Sequence, residues 1–434
     1  MDSEDENGAQ LPQPRIYPLK LFDLARSQKR LLYACAPMVR YSKLAFRQTV
    51  HHFGTDLCWT PMILAKEFNR SPVARDSDLT MSTTTRDTEV PTIAQFGAND
   101  PVELSRAASL AAPFVNGVDL NCGCPQSWAC AETLGAALMN RRELVRDMVV
   151  ATRERLARDG WDVDSFGATD NDVNDNGNGG DDDRVGRSVS VKIRVHKDLR
   201  QTVDFITTVL GDEHNRRNID WLTIHPRTRN TPSSVPINLE ALELLTSMFG
   251  KKVPILVSGD VFTLSTLPYT SHLLDPQPTF TSSSSSTTTA TATTATTPNE
   301  PSSPPTASSP YPSPPNPNPK INIPNLSGLM SARALLANPA LFAGYDACPW
   351  DAVDVFMNNV ARAPLPLKLA VHHLNEMCGP GFGPDRNAPA ASLLSKKERI
   401  RLNEIGNWVD VIDYMDQIRS QRGGKNGGVV RLAC

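Results

Sequence analysis

The sequence predicts a parallel (β/α)8 barrel followed by a small C-terminal helical domain. Two patterns carry the prediction. Up to about residue 350, short apolar or β-branched runs alternate eight times with amphipathic segments whose apolar residues stand three and four apart. Beyond about Asp351 no strand pattern appears and the chain reads as purely helical up to Arg419. A third observation agrees: polar or reactive residues stand where several of the runs end, which is where a parallel barrel keeps its chemistry.

Taken in order, residues 1–25 read as an acidic tail, opening with Asp2, Glu4, Asp5 and Glu6. The barrel is expected over 26–350. Its strands are Leu31 to Pro37, Asp56 to Thr60, Pro91 to Phe96, Gly117 to Asn121, Ser188 to Arg194, Asp220 to His225, Val253 to Ser258 and Gly328 to Ala332. Helices are expected over Pro101 to Ala112, Arg142 to Arg158, Leu199 to Leu210 and Leu239 to Met248. Two inserts interrupt the repeat. Residues 162 to about 187 are rich in Asp, Asn and Gly, and 33 of the 45 residues over 276–320 are Pro, Ser or Thr, a composition that cannot build a core. A helical domain is expected over 351–422 and a short tail over 423–434.

No apolar run nears the roughly 18 residues a membrane helix needs, and the first residues are acidic where a targeting peptide is basic. A cytoplasmic and/or nuclear protein is expected, without a membrane, as a monomer. The eight cysteines show no paired metal spacing and are read as reduced thiols, with no metal site. An EF-hand-like spacing from Asp172 to Asp183 has glycine at its eighth position and aspartate where the bidentate glutamate belongs, so calcium is not expected. The formal net charge is −3, yet the acidic N-terminus and the aspartates of 162–183 carry twelve negative charges between them, leaving +9 on the rest. Such a body suits a polyanion such as RNA, although the same excess also describes an ordinary surface.

The fourth strand runs into Asn121-Cys122-Gly123-Cys124-Pro125-Gln126, where glycine and proline turn the chain and present Cys124 at the barrel mouth. A thiol there can be a nucleophile, a proton donor or a structural residue. Gln95 ends the third strand, Lys192 lies on the fifth and His225 ends the sixth. An amide, a cation and an imidazole around one mouth suit a flat anionic ligand. Ser258-Gly259-Asp260 and Ser331-Ala332-Arg333 end strands seven and eight, the usual phosphate position of such barrels. The constellation describes FMN.

These residues together resemble the tRNA-dihydrouridine synthase family. The resemblance rests on Ala36-Pro37-Met38-Val39-Arg40-Tyr41-Ser42-Lys43, Thr60-Pro61-Met62-Ile63, the segment Ile93 to Asp100, the segment Asp119 to Gln126, Ser190 to Arg194, and Ala337-Asn338-Pro339. The first of these, with Asn-Cys-Gly-Cys-Pro-Gln-Ser-Trp, is similar to the eukaryotic branch acting at positions 20a and 20b of the tRNA D-loop. The resemblance implies NADPH (or NADH) as electron donor, hydride from reduced FMN to C6 of an extruded uracil, and a proton from Cys124 to C5. It implies that Pro37 and Met38 pack beneath the flavin, Gln95 meets its pyrimidine edge, Lys192 stabilises its reduced form and His225 lies beside it. Gly259, Ala332 and Arg333 would hold its phosphate. Arg40, Asn121, Arg194 and Arg227 would face RNA, as would the helical tail with His372, His373, Lys396, Lys397, Arg399 and Arg401.

Three departures stand out. Pro226 follows His225 where the family usually has glycine, Ser258 replaces a common asparagine, and Ala334 replaces a glycine, with strain expected there if that position needs a positive φ. Two rival functions remain at this level: an FMN barrel acting on a free pyrimidine, and a silent tRNA-binding scaffold.

Overall fold

The structure, a computed structural model, describes residues 16–73, 75, 90–161, 186–211, 217–273, 320–382 and 392–422. Eight strands form the barrel: β1 (Leu32–Cys35), β2 (Leu57–Trp59), β3 (Thr92–Gly97), β4 (Gly117–Cys122), β5 (Ser188–Arg194), β6 (Trp221–His225), β7 (Ile255–Ser258) and β8 (Gly328–Ser331). Each pairs in parallel with the next, and β8 returns to β1, so the sheet closes. The expected strands are thus all present, trimmed or extended by up to two residues at their ends.

Alternation along the strands sorts the side chains. Val118, Leu120 and Cys122 of β4 and Val189, Val191 and Ile193 of β5 join one buried apolar cluster with the helices outside. Asp119, Asn121, Ser190 and Lys192, at the intervening positions, are left to the interior. The outer helices include α2 (Leu44–His52), α3 (Pro101–Ala111), α4 (Arg142–Arg158), α5 (Leu199–Leu210) and α6 (Leu239–Phe249). Their starts are written in the sequence. Asp100 caps the amides of Val102 and Glu103 with Pro101 in the first turn, Asp198 caps Arg200 and Asn238 caps Ala241.

The interior is apolar at one end and polar at the other. Inside the barrel Leu32, Ala34, Leu57, Trp59, Ile93, Trp221, Leu256 and Met330 pack into one cluster that reaches the amino ends of the strands. Helix α1 (Pro18–Ser27) plugs that end: Leu21, Phe22 and Ala25 enter the cluster, Phe22 lies 5.6 Å from Trp221, and the Tyr17 hydroxyl donates to Asp220 at 2.9 Å. This corrects the expected boundary. Residues 18–25 are not tail but the barrel's floor, because their apolar residues recur at helical spacing and bury against the strands.

Between β7 and β8, Tyr269–Thr270 and Ile321–Asn322 pair as a small parallel sheet, so the two ends of the Pro/Ser/Thr-rich insert meet side by side. That insert and the acidic one lie almost wholly outside the described residues, as do the EF-hand-like spacing, the first 15 residues and the tail over 423–434.

Helices α7 (Trp350–Arg362), α8 (Leu367–Met377), α9 (Lys396–Glu404) and α10 (Trp408–Gln421) follow the barrel. They share one buried cluster with Phe46 and Val50 of α2 and with Leu341 and Phe342, so the helical region has no core separate from the barrel wall. His373, expected to face RNA, is fully buried between Phe46, Phe356 and Tyr41, with ring centroids 4.9 to 5.6 Å away. Burial pushes its pKa down to about 3. It is a packing residue. Among the described residues no helix is long and apolar enough to cross a membrane.

Candidate active site at the carboxyl ends of the strands

The turn that carries Cys124 is built by its neighbours. Asn121, the fifth residue of β4, is buried, and its Oδ1 accepts from the backbone N–H groups of Gly123 at 3.0 Å and Cys124 at 2.8 Å. The next twelve residues fold back over the same turn. Ala136 N–H donates to the Cys124 carbonyl at 2.8 Å, and Gly135, at φ +58°, passes so close that a Cβ would sit 2.6 Å from that carbonyl oxygen and 2.8 Å from the Cys124 Cβ. Only glycine fits there. Arg194 at the end of β5 ties the turn from the other side, donating from Nε to the Gly123 carbonyl at 2.8 Å and from Nη1 to that of Thr228 at 2.8 Å. Cys124 itself is half-buried at the mouth, whereas Cys122 is fully buried in the wall.

Gln95 and Lys192 lie beside it. Both polar ends of Gln95 are engaged: Nε2 donates to Asp119 Oδ2 at 2.8 Å and Oε1 accepts from Asn121 Nδ2 at 2.8 Å. Asp119 also accepts from the Ser190 hydroxyl at 2.6 Å. Burial pushes the Asp119 carboxyl up to about 6, against the opposing pull of the Ser190, Gln95 and Lys192 groups. Lys192 has no hydrogen-bond partner among the described residues. Burial and the neighbouring Arg194 cation bring its ammonium down to about 8, against the pull of Asp119 and Cys124.

On the far side stands His225, whose Nε2 lies 3.1 Å from Arg227 Nη1. A guanidinium only donates, so this nitrogen accepts and the ring proton sits on Nδ1. Burial, together with Lys192, Arg194, Arg227 and Arg333, drives its pKa down to about 2, so the ring is neutral. Pro226 is accommodated without loss: Arg227 N–H reaches back to the His225 carbonyl at 2.7 Å, a three-residue turn centred on proline's own φ range. Gly259 takes φ +112°, and a Cβ on it would lie 2.9 Å from Ile237 and 3.1 Å from the His225 ring. The strain expected at Ala334 is absent. That residue lies inside the short helix Arg333–Ala337, and the positive φ values in this region fall on Gly259 and Asp260 instead.

The remaining expected residues divide. Pro37 and Met38 are half-buried just beyond β1, and Ala332 and Arg333 follow β8, with the Arg333 guanidinium 4.4 Å over the Phe382 ring. Arg40 is exposed in a turn at φ +71°. Arg227, expected to face RNA, is instead buried: it pairs with Asp260 at 2.5 Å and donates to the Val235 carbonyl at 2.7 Å, which fixes the loop after β6. Arg229 two residues on is exposed. In α9, Lys396, Lys397 and Arg401 are exposed, while Arg399 is half-buried with its Nη1 against Gly379.

Asp119 and Gly135 had no role assigned from the sequence, and Asp260, quoted only within the expected phosphate segment, instead pairs with Arg227 and accepts from Ile237 N–H. Asp119 carried a signal all the same, as a carboxylate two positions from Asn121 in an otherwise apolar strand. Among the described residues no three potential ligands cluster as a metal site.

Fold and site define a (β/α)8-barrel enzyme with a thiol held at the carboxyl ends of its strands beside a cationic mouth. The family pattern described as "Dihydrouridine synthase (Dus)" matches residues 34–158 and 182–271. The chain is 31% identical over 400 residues to the tRNA-dihydrouridine(20a/20b) synthase [NAD(P)+] of Schizosaccharomyces pombe, covering 92% of this chain and 91% of the relative. It is 31% identical to the Homo sapiens tRNA-dihydrouridine(20a/20b) synthase [NAD(P)+]-like protein, over 92% of this chain and 93% of that one. With the Saccharomyces cerevisiae tRNA-dihydrouridine(20a/20b) synthase [NAD(P)+] the identity is 29%, over 96% and 90%. The chain belongs to the dihydrouridine synthase family.

Proposed function

We propose that this protein reduces uridine to 5,6-dihydrouridine in the D-loop of tRNA, at positions 20a and 20b, with FMN at the barrel mouth and NADPH as electron donor. The observation that carries the reading is the convergence of Cys124, Gln95, Lys192 and His225 on one mouth, with Asn121 fixing the thiol turn. Identity to relatives named for that position pair, spread over nearly the whole chain, supports it.

The residues fit the flavin. Gly259 leaves bare backbone where any side chain would meet His225 and Ile237, and Lys192, Arg194 and Arg333 crowd the mouth with positive charge that an anionic group relieves. When bound, FMN supplies the hydride that adds to C6 of the uracil. The Cys124 thiol gives its proton to C5, so hydride and proton together saturate the C5–C6 double bond. Gln95 retains one N–H for the pyrimidine edge of the ring, its other being held by Asp119. Lys192 holds positive charge beside that edge. Extruding the target base costs a few kcal/mol and least for a base already in a loop. For the surrounding RNA, Arg40, Arg229 and the exposed Lys396, Lys397 and Arg401 offer cations. Trp128, four residues past Cys124, exposes 43% of its surface with its indole N–H held at 2.6 Å by Gln126, an aromatic face for a neighbouring base. The protein acts as a monomer in the cytoplasm or nucleus, where its RNA substrate is found.

The purified protein should carry a flavin absorption band, oxidise NADPH in the presence of unmodified tRNA, and leave dihydrouridine at 20a and 20b. Cys124→Ala should keep flavin and tRNA affinity and lose turnover by about 10² to 10⁴. Cys122→Ala should turn over normally. Reduction of a free pyrimidine but not of tRNA would overturn the substrate, and a colourless protein that binds tRNA would leave only a scaffold.

A further inference from the structure

Between the flavin-edge amide and the thiol turn runs an unbroken line of hydrogen bonds. Its far end is Asp119, 1% exposed and in register with Gln95 on β3 and Ser190 on β5. From Asp119 Oδ2 the line passes to Gln95 Nε2 at 2.8 Å, from Gln95 Oε1 to Asn121 Nδ2 at 2.8 Å, and from Asn121 Oδ1 to the Cys124 N–H at 2.8 Å. Its direction is over-determined. An ionised carboxylate only accepts and a backbone N–H only donates, so each amide between them has one permitted orientation. Both ends demand the same one.

We propose that Asp119 is a positioning residue for the reaction: by anchoring the far end of this line it holds the Gln95 amide and the Cys124 turn in one fixed register. The proposal rests on the reading of Gln95 and Cys124 given above. Without an acceptor at 119 the Gly123 and Cys124 N–H groups still set the direction of the line, but the buried Gln95 Nε2 loses its anchor, so Gln95 can shift and slacken its hydrogen bond to Asn121 and with it the thiol turn. Asparagine at 119 should preserve the line. Its Oδ1 accepts from Gln95, its Nδ2 donates to the Ser190 oxygen, and the backbone N–H of Cys124 still fixes the direction.

The test compares Asp119→Ala with Asp119→Asn in the flavin-loaded protein, measuring the NADPH and tRNA half-reactions separately, the flavin spectrum, and the alkylation rate of Cys124 mapped by mass spectrometry against buried Cys122. Asp119→Ala should slow flavin oxidation by tRNA about 10²-fold, the scale of an ångström-level misplacement, with KM for tRNA within about twofold. Its flavin band should shift, and Cys124 should alkylate several-fold faster because its turn is loosened. Asp119→Asn should restore all three. A wild-type rate and spectrum in Asp119→Ala, a change in tRNA KM alone, or an Asn variant no better than Ala would each overturn the assignment. Should Asp119→Ala not fold, Asn121→Asp cuts the line at its middle, since a carboxylate still accepts from Cys124 N–H but cannot donate to Gln95. Normal turnover there would overturn it equally. If the wild-type protein makes no dihydrouridine, the functional reading fails, while the Cys124 alkylation comparison, which needs neither RNA nor flavin, still decides whether Asp119 holds the turn.

Discussion

Residue by residue, charge at the mouth is divided between groups already engaged and groups left open. Arg227 is buried against Asp260, and Arg194 has Nε and Nη1 on two carbonyls, so both hold loops together. Lys192 is the cation at the interior with no hydrogen-bond partner among the described residues, and its pKa near 8 has a measurable consequence. Its positive form, which favours an anionic ligand, predominates below that value. FMN affinity of the flavin-free protein is therefore expected to weaken as pH rises through about 8, and Lys192→Met should flatten this dependence. Equilibrium titration of flavin at several pH values checks it. A wild-type affinity independent of pH between 7 and 9 would show that Lys192 does not face the ligand.

At the scale of elements, turns decide what the strands only position. Strand β7 delivers Gly259 to a spot where a Cβ meets Ile237 and the His225 ring at 2.9 and 3.1 Å, in a backbone conformation that L side chains rarely adopt. Gly259→Ala should therefore release flavin while the far-ultraviolet circular dichroism stays that of the parent. Retention of flavin at parental affinity would remove this loop from the phosphate site. Helix α9 divides its cations by face. Lys397 and Arg401 are four apart and exposed, whereas Arg399 packs on Gly379. Replacing Lys397 and Arg401 by Gln should weaken tRNA binding and reduce its salt slope by up to about two units. Arg399→Gln should lower the melting temperature with little effect on that slope. Equal slopes in all variants would place the RNA surface on the barrel loops near Arg40 and Arg229.

For the whole molecule, the pairing of Tyr269–Thr270 with Ile321–Asn322 brings the insert's ends together before the chain enters β8. Deleting residues 275–319 and bridging with about six Gly/Ser residues leaves that pairing intact and shortens the loop by roughly two doublings, worth about 1.3 kcal/mol of closure entropy. The melting temperature is expected to hold or rise, with flavin retained. A fall with loss of flavin would mean that the insert contributes to the barrel wall.

The sequence by itself determined the barrel, its eight strands and the mouth residues, because strand periodicity and the polar residues at strand ends are local patterns that survive without the fold. It could also mark Cys124, since a glycine and a proline around a thiol force a turn wherever they stand. Tertiary structure decided the rest. Whether residues 18–25 were tail or floor depended on a distant Trp221, whether His373 met RNA or Phe356 depended on helix packing, and whether Arg227 was free depended on Asp260, 33 residues away. The line from Asp119 to Cys124 belongs to the same class. Its four members are spread over two strands and a turn, and only the pairing of β3 with β4 brings the acceptor at one end and the donor at the other into a single hydrogen-bonded path.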